Sequence, residues 1–246
     1  MKGTKGEVKM DKTRRIVIDL EMNPVSKGLK TVRANLSREI IEIGASMIDE
    51  QDKIVDEFHC LVKPDFNTSI VPFITNLTGI TYYDVVSAVS LEKALNQLER
   101  WIGYDCGTFI YSWSSADLQQ MTKECEYKGI HMPPNMTQWI DFQSEYYRVM
   151  ELDSTCRQLS LHKAAEQFGI IMDERKSHSA LYDAKITAEL LIPILNGDYR
   201  EQREYLRKTT AVELEDHSFT LGDACGNVLK QFLLQMQMSE EPVIVH

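Results

Sequence analysis

The chain has 246 residues and a formal net charge of −10. That length suits one domain with an extension, or at most two. The acidic balance argues against a protein that coats nucleic acid through a broad basic face, and no apolar stretch is long enough to span a membrane.

Residues 1–13 are charged and lack an apolar core, so they read as a mobile leader and not a signal peptide. The five cysteines, Cys60, Cys106, Cys125, Cys156 and Cys225, are scattered without metal-type spacing. Such a set reads as reduced thiols in a cytoplasmic protein, with neither a zinc site nor a disulfide.

Residues 14–21 form the first predicted strand, rich in β-branched side chains. Alternation puts Ile16, Ile18 and Leu20 on one face and Val17, Asp19 and Glu21 on the other. Two carboxylates two residues apart then project side by side, roughly 7 Å apart at the backbone, close enough to share one hard cation. The plain alternative is a pair of acids that ends a strand at the surface. Strands at 38–49 and 53–62 follow, joined by the polar turn 49–52 as a hairpin.

Residues 69–77 and 81–88 read as short helical pieces separated by Gly79, and 90–104 as an amphipathic helix with Leu91, Ala94, Leu95, Leu98, Trp101 and Ile102 in helical spacing. Trp101 belongs to the core in this reading. A strand at 107–113 leads to a helix at 115–128 with Ser115 at its N-cap. Asp117 then lies in the first turn, where the helix dipole favours an acid whether or not it has a function.

Residues 137–142 read as a short strand running into a helix that ends near 151, with Asp141 either supporting the site or capping that helix. Ser160 caps a helix to Phe168, closed by Gly169. The last helix of the core spans about 179–195, with Asp183 one turn in and His178 at or before its start. The five-residue separation lets both side chains enter one site only if His178 lies off the helix end. A neutral histidine can take a proton from water; a capping or surface histidine beside a solvated aspartate is the alternative. Strands first, then alternating helix and strand, suit an α/β domain with a mixed sheet and helices on its faces.

Three segments together say more than any one of them. Ile-Asp-Leu-Glu at 18–21, the strand–helix Asp117 and His-x-Ala-x-x-Asp at 178–183 resemble the DnaQ-like exonucleases of the DEDDh subgroup. The resemblance covers residues 14–197, and Glu-Ile-Ile-Glu-Ile-Gly-Ala-Ser-Met at 39–47 is similar to the family's second strand. It implies a ribonuclease-H-like fold, with residues 198–246 left as a helical C-terminal extension. It implies 3′→5′ hydrolysis of single-stranded RNA or DNA ends to nucleoside 5′-monophosphates, RNA slightly preferred.

By the same resemblance, Asp19, Glu21, Asp117 and Asp183 hold two Mg²⁺ or Mn²⁺ ions. Asp19 bridges both ions, Glu21 and Asp183 serve the one that activates water, Asp117 acts mainly through coordinated water, and His178 accepts the proton. Hard oxygen ligands suit these ions. Leu77 and Thr78 are similar to a segment that packs near the terminal nucleotide, and Leu20 joins them as a substrate contact. Trp113 either stacks on a base or packs at the strand end. Tyr182 is a surface or core residue, because His178 fills the place that a tyrosine takes in the sister subgroup.

Residues 22–38 depart from the family pattern of a short connection and carry Lys27, Lys30, Arg33 and Arg38. They form either a solvated loop or an arm that contacts substrate phosphates. Residues 199–208 are a charged helix candidate, and 219–238 hold an apolar stripe near helical period. The stripe either packs back on the core or serves a homodimer or protein partner. The rival functional reading is a regulatory or interaction protein on the same fold, with weak or incidental hydrolysis.

Overall fold

The computed structural model describes residues 14–104, 108–152, 158–173 and 175–216, with side chains to residue 208. The leader at 1–13 and the apolar stripe at 219–238 lie outside the described residues. The chain parts into two compact units, residues 1–199 and 200–246.

The first unit is built on five strands: β1 (Arg14–Pro24), β2 (Arg38–Ile48), β3 (Ile54–Leu61), β4 (Thr108–Ser112) and β5 (Trp139–Asp141). Their spatial order is β3-β2-β1-β4-β5. The β1–β2 and β2–β3 pairs are antiparallel, and β1–β4 and β4–β5 are parallel. This is the mixed sheet flanked by helices that the element order suggests, in the ribonuclease-H-like arrangement that the resemblance implies. The hairpin β2–β3 turns at Asp52, whose φ is +56°.

One face of the sheet carries Ile16, Ile18, Leu20, Ile43, Ala45 and Met47, all buried. They pack under α4 (Leu91–Ile102) and α5 (Ala116–Lys128). Ser90 starts α4 by accepting from the Lys93 amide at 3.4 Å, and Gly103 closes it. Trp101 sits at the edge of this core and donates its indole N–H to Asp56 at 3.0 Å, as its helical spacing suggests.

The opposite face is covered by α8 (Ala180–Asn196), which lies across β1, β2 and β3. Two residues of β2 fix where it lies. A Cβ on Gly44 would stand 2.1 Å from the Ala180 carbonyl carbon and 2.1 Å from the Leu181 nitrogen. Only a hydrogen leaves room for the helix backbone there. Two residues earlier, the buried Glu42 carboxylate accepts the Ala180 N–H at 3.0 Å. Ser179, at the N-cap position, makes no side-chain cap bond of its own, so a strand supplies the cap.

The remaining elements are short. α2 (Pro72–Thr78) and α3 (Tyr82–Val85) are separated by Gly79 at φ +78°. α6 (Phe142–Met150) is capped by Asp141, which accepts from the Ser144 amide at 3.0 Å. α7 (Leu161–Gln167) starts at Ser160, as expected. Residues 22–38 are more structured than a loop: β1 continues to Pro24, and α1 (Lys30–Asn35) occupies the middle. The second unit contains most of α9 (Tyr199–Asp216), the charged helix of the extension. Among the described residues no helix is long and apolar enough to cross a membrane.

Gly44→Ala forces a carbon into the α8 backbone, and overpacking of this kind costs about 1–3 kcal/mol. Thermal unfolding should show a clearly lower Tm for this variant; an unchanged Tm would mean that α8 does not rest on Gly44.

Candidate active site

Asp19 and Glu21 leave β1 on the face that α8 covers, opposite Gly44 and Glu42 in the sheet register. Directly after Glu21 the register slips: Glu21 faces Glu42 and Met22 faces Ile40, so Ile41 is an extra residue. A bulge of this kind bends a strand and re-aims its side chains, and bulges gather beside active sites. Leu20 points the other way. Expected among the substrate contacts, it instead buries its side chain in the core, as strand alternation requires.

Asp117 enters from the neighbouring strand. β4 ends at Ser112, whose hydroxyl donates to the Ser114 carbonyl at 2.6 Å and tightens the turn into α5. Asp117 is buried in the first turn of α5. The backbone amides of Asp117 and Leu20 and the positive charge of Arg38 favour its ionised form.

His178 and Asp183 arrive with α8. His178 has φ +66°, a left-handed conformation uncommon for a residue with a Cβ. Its amide donates to Asp183 Oδ2 at 3.1 Å. The chain therefore turns back on itself just before α8, so His178 lies off the helix end, as a shared site demands. Tyr182 braces the same turn by accepting from the Asp173 amide at 2.7 Å. Ligand atoms of Glu21, His178 and Asp183 all lie within 4.8 Å of one another. Asp19 interacts electrostatically with Asp117, Asp183 and Glu21, which joins the remaining acids to this group.

The electrostatics follow from placing acids close together away from water. Burial is the largest cause at each carboxylate, and neighbouring carboxylates add to it. Asp19 is held well above the ordinary carboxylate range by burial, then by Asp117, Asp183, Glu21 and Glu42. Glu21 is pushed up to about 8 by burial and then by Glu42, Asp183 and Asp117. Burial raises Asp117 to about 7, although its amide bonds and Arg38 pull downward. Asp183 is also raised by burial, against the His178 amide bond and the charge of His178. Its Oδ1 is buried and has no hydrogen-bond partner. A cluster of oxygen donors short of positive charge, with one buried oxygen unsatisfied, fits hard divalent cations.

The other expected residues lie outside this cluster. Leu77 and Thr78 line a cavity of about 580 Å³ together with Ser177, Ser179, Tyr182 and Lys185. The Thr78 hydroxyl is engaged locally, donating to the Ile74 carbonyl at 2.9 Å. Trp113 is half-buried and packs its ring on Phe142 and Tyr146, with centroids 5.7 and 5.8 Å away. These contacts are those of a residue packing at the strand end.

Sequence reasoning missed Glu42, Gly44 and His59. Glu42 Oε1 lies 2.7 Å from His59 Nε2 and 3.5 Å from Ser179 Oγ, while Oε2 takes the Ala180 amide. Both oxygens are occupied, so Glu42 is equipped to hold α8 and not to ligate a cation. The available signal was a glutamate flanked by isoleucines and two residues before a glycine.

Residues 16–191 match the family model RNase_T, described as exonuclease. ERI1 exoribonuclease 2 of Xenopus laevis is 29% identical over 197 residues, covering 71% of this chain and 27% of that protein. The human 3′-5′ exoribonuclease 1 is 27% identical over 164 residues, covering 64% of this chain and 46% of that protein. The chain thus spans about a quarter to a half of the length of these curated relatives. Among solved structures, the nuclease domain of 3′hExo, a DEDDh family member bound to rAMP, superposes with a TM-score of 0.65 at 24% identity, covering 78% of this chain and 95% of that one. Exonuclease I superposes with a TM-score of 0.59 at 14% identity, covering 80% of this chain and 43% of that one. With the family model matching most of the chain, on the sheet and helices that bring its acids together, this protein belongs to the exonuclease family.

Proposed function

We propose that the chain is a metal-dependent 3′→5′ exonuclease that acts on single-stranded nucleic acid, RNA in preference to DNA, and releases nucleoside 5′-monophosphates. The observation that carries this reading is the convergence of Glu21, Asp183 and His178 within 4.8 Å, with Asp19 and Asp117 electrostatically joined to them. Family membership implies divalent cations, and the donor set fits Mg²⁺ or Mn²⁺. When bound, two such ions neutralise charge on the scissile phosphate and make water a stronger nucleophile.

The chain's own residues do the rest. Asp19, Glu21, Asp117 and Asp183 hold the cations. His178 takes the proton of the attacking water, and its exposed position leaves the ring free to reach solvent. Leu77 and Thr78 form one wall of the cavity beside the His178 turn and take the terminal nucleotide. The preference for RNA rests on the relatives, whose names describe exoribonucleases. The rival reading, a regulatory protein with incidental hydrolysis, gains nothing from this geometry, because all five expected positions are filled.

The direct test is a time course on matched 5′-labelled single-stranded RNA and DNA with Mg²⁺ and then Mn²⁺. Wild type should give a ladder shrinking from the 3′ end, faster on RNA, and Asp19→Ala should give none. His178→Ala should lose about 10²–10⁴-fold in rate, the usual worth of a positioned general base. A ladder that survives Asp19→Ala would overturn the assignment.

The raised carboxylates make a second prediction. Glu21 and Asp117 hold protons in the folded, metal-free chain that the unfolded chain would release, with folded values near 8 and 7. The folded state therefore binds more protons than the unfolded state through this window. Stability contributed by these groups is present at low pH and is lost as pH rises towards 8. In a chelator, Tm should fall from pH 5.5 to 8.5, roughly the span set by those two groups. Added Mg²⁺ or Mn²⁺ should displace the protons and restore Tm most at the alkaline end. A metal-induced gain that is equal at both ends would contradict ligation by these acids.

A further inference from the structure

Between Glu21 and Glu39 the chain runs for 17 residues without an acid and carries Lys27, Lys30, Arg33 and Arg38, in a protein of net charge −10. All four side chains are exposed. Among the described residues none of the four lies within ion-pair distance of a carboxylate. Elsewhere cations divide: Arg15 meets Asp52 at 2.9 Å, Lys185 meets Glu57 at 3.0 Å and Lys128 meets Asp65 at 2.7 Å, while others among the described residues stand singly without an acidic partner, so what sets these four apart is their clustering in one acid-free run. An acidic surface that leaves four neighbouring cations without acidic partners presents a local anion-seeking site.

The segment is also held in place. Val25 and Leu36 are fully buried. The Val25 amide donates to the Ser37 carbonyl at 2.9 Å and closes the excursion at its base. The Ser26 amide donates to Asn67 Oδ1 at 3.0 Å. The helix between these anchors, α1, buries none of its own residues. Apolar feet fix the segment while its polar surface faces water.

The cations follow one another along the chain, and one of them reaches the acid cluster. Arg38 is the one whose charge reaches Asp117, and across the sheet it pairs with Pro24. Arg33 comes next, its guanidinium donating to the Val25 carbonyl at 3.2 Å. Lys30 stands three residues before Arg33 on the same helix face. Lys27 lies in the turn before the helix.

We propose that residues 27–38 form a phosphate-tracking arm, which holds the backbone of the single-stranded substrate on the 5′ side of the nucleotide being removed. This rests on the exonuclease reading above. The ligand chemistry is a chain of phosphodiesters. Arginine can fork onto phosphate oxygens and lysine adds point charges, and such contacts position a strand without reading its sequence. The arm gives a strongly acidic enzyme a local grip on a polyanion.

The test uses the full chain carrying Lys27→Gln, Lys30→Gln and Arg33→Gln together. Arg38 is spared because it stands beside Asp117. Hydrolysis of a 12-nucleotide and a 3-nucleotide RNA is followed with Mg²⁺ between 50 and 200 mM KCl, and thermal unfolding checks the fold. Three lost phosphate contacts should flatten the dependence of log(kcat/KM) on log[salt] by about 2, at about 0.7 per contact on single strands. The loss should fall on KM and be larger for the 12-mer than for the 3-mer. A variant with wild-type KM and salt slope on the 12-mer would overturn the arm while leaving the nuclease intact. An equal loss on both lengths would also overturn it, placing the defect in the acid cluster. If wild type itself yields no ladder, the exonuclease reading fails first. Binding of the labelled 12-mer by wild type in a chelator, read by anisotropy, then decides the arm separately: a salt slope that the triple variant retains overturns it.

Discussion

The seating of the α8 N-terminus on β2 is the contact on which the site depends. Gly44 removes the side chain that would keep the helix backbone off the strand, and Glu42 takes the first free amide of the helix. A carboxylate at a helix N-terminus is favoured both by the hydrogen bond and by the helix dipole. Asp183 sits in the first turn of that helix, and the His178 amide is tied to Asp183. Two residues of one strand thus determine where the third segment of the site stands relative to the first. His59 adds a further hold on Glu42 from β3, so two strands take part in placing the helix end.

That arrangement carries an electrostatic cost. Glu42 lies among the groups that raise Asp19, Glu21 and Asp183, so the residue that seats the helix also repels the acids beside it. Removing the repulsion would remove the cap. The cluster is tolerable because cations are its natural complement: charge that destabilises the metal-free fold is the charge that binds a divalent ion. Asp117 is treated differently. Two amides and Arg38 favour its ionised form, so it remains closer to the ordinary range than its burial alone would allow.

The strand order could not be read from the chain, but most elements could, because their signals are local. Alternating side chains in β1, helical spacing in α4, and Ser90 and Ser160 at helix starts all appear where those patterns place them. The five acid and histidine positions were legible as three motifs. The side chain of Leu20 lies in the core, on the face that alternation assigns it together with Ile16 and Ile18. Residues 22–38 looked like a loop because their two buried anchors, Val25 and Leu36, are too few to show a period. Glu42 and Gly44 were illegible for a different reason. Their partner, the backbone of Ala180 and Leu181, lies about 140 positions away along the chain, a contact that only strand register and helix placement reveal.

The bulge at Ile41 explains how β2 serves both walls of the cleft. Before it, Glu39 is fully buried and accepts the Asp65 amide at 2.7 Å and the Asn67 amide at 3.0 Å. It also lies 3.3 Å from Lys128 of α5. Those bonds hold the segment that leads into α2 and hence to Leu77 and Thr78. After the bulge, Glu42 and Gly44 hold α8 and hence His178 and Asp183. Were Ile41 paired in a regular ladder, Glu39 and Glu42, three positions apart, would point to opposite faces. Glu39 would then keep its place only if Glu42 and Gly44 turned to the opposite face, into the apolar core. One inserted residue therefore lets a single strand orient both the wall assigned to the nucleotide and the helix that completes the acid cluster.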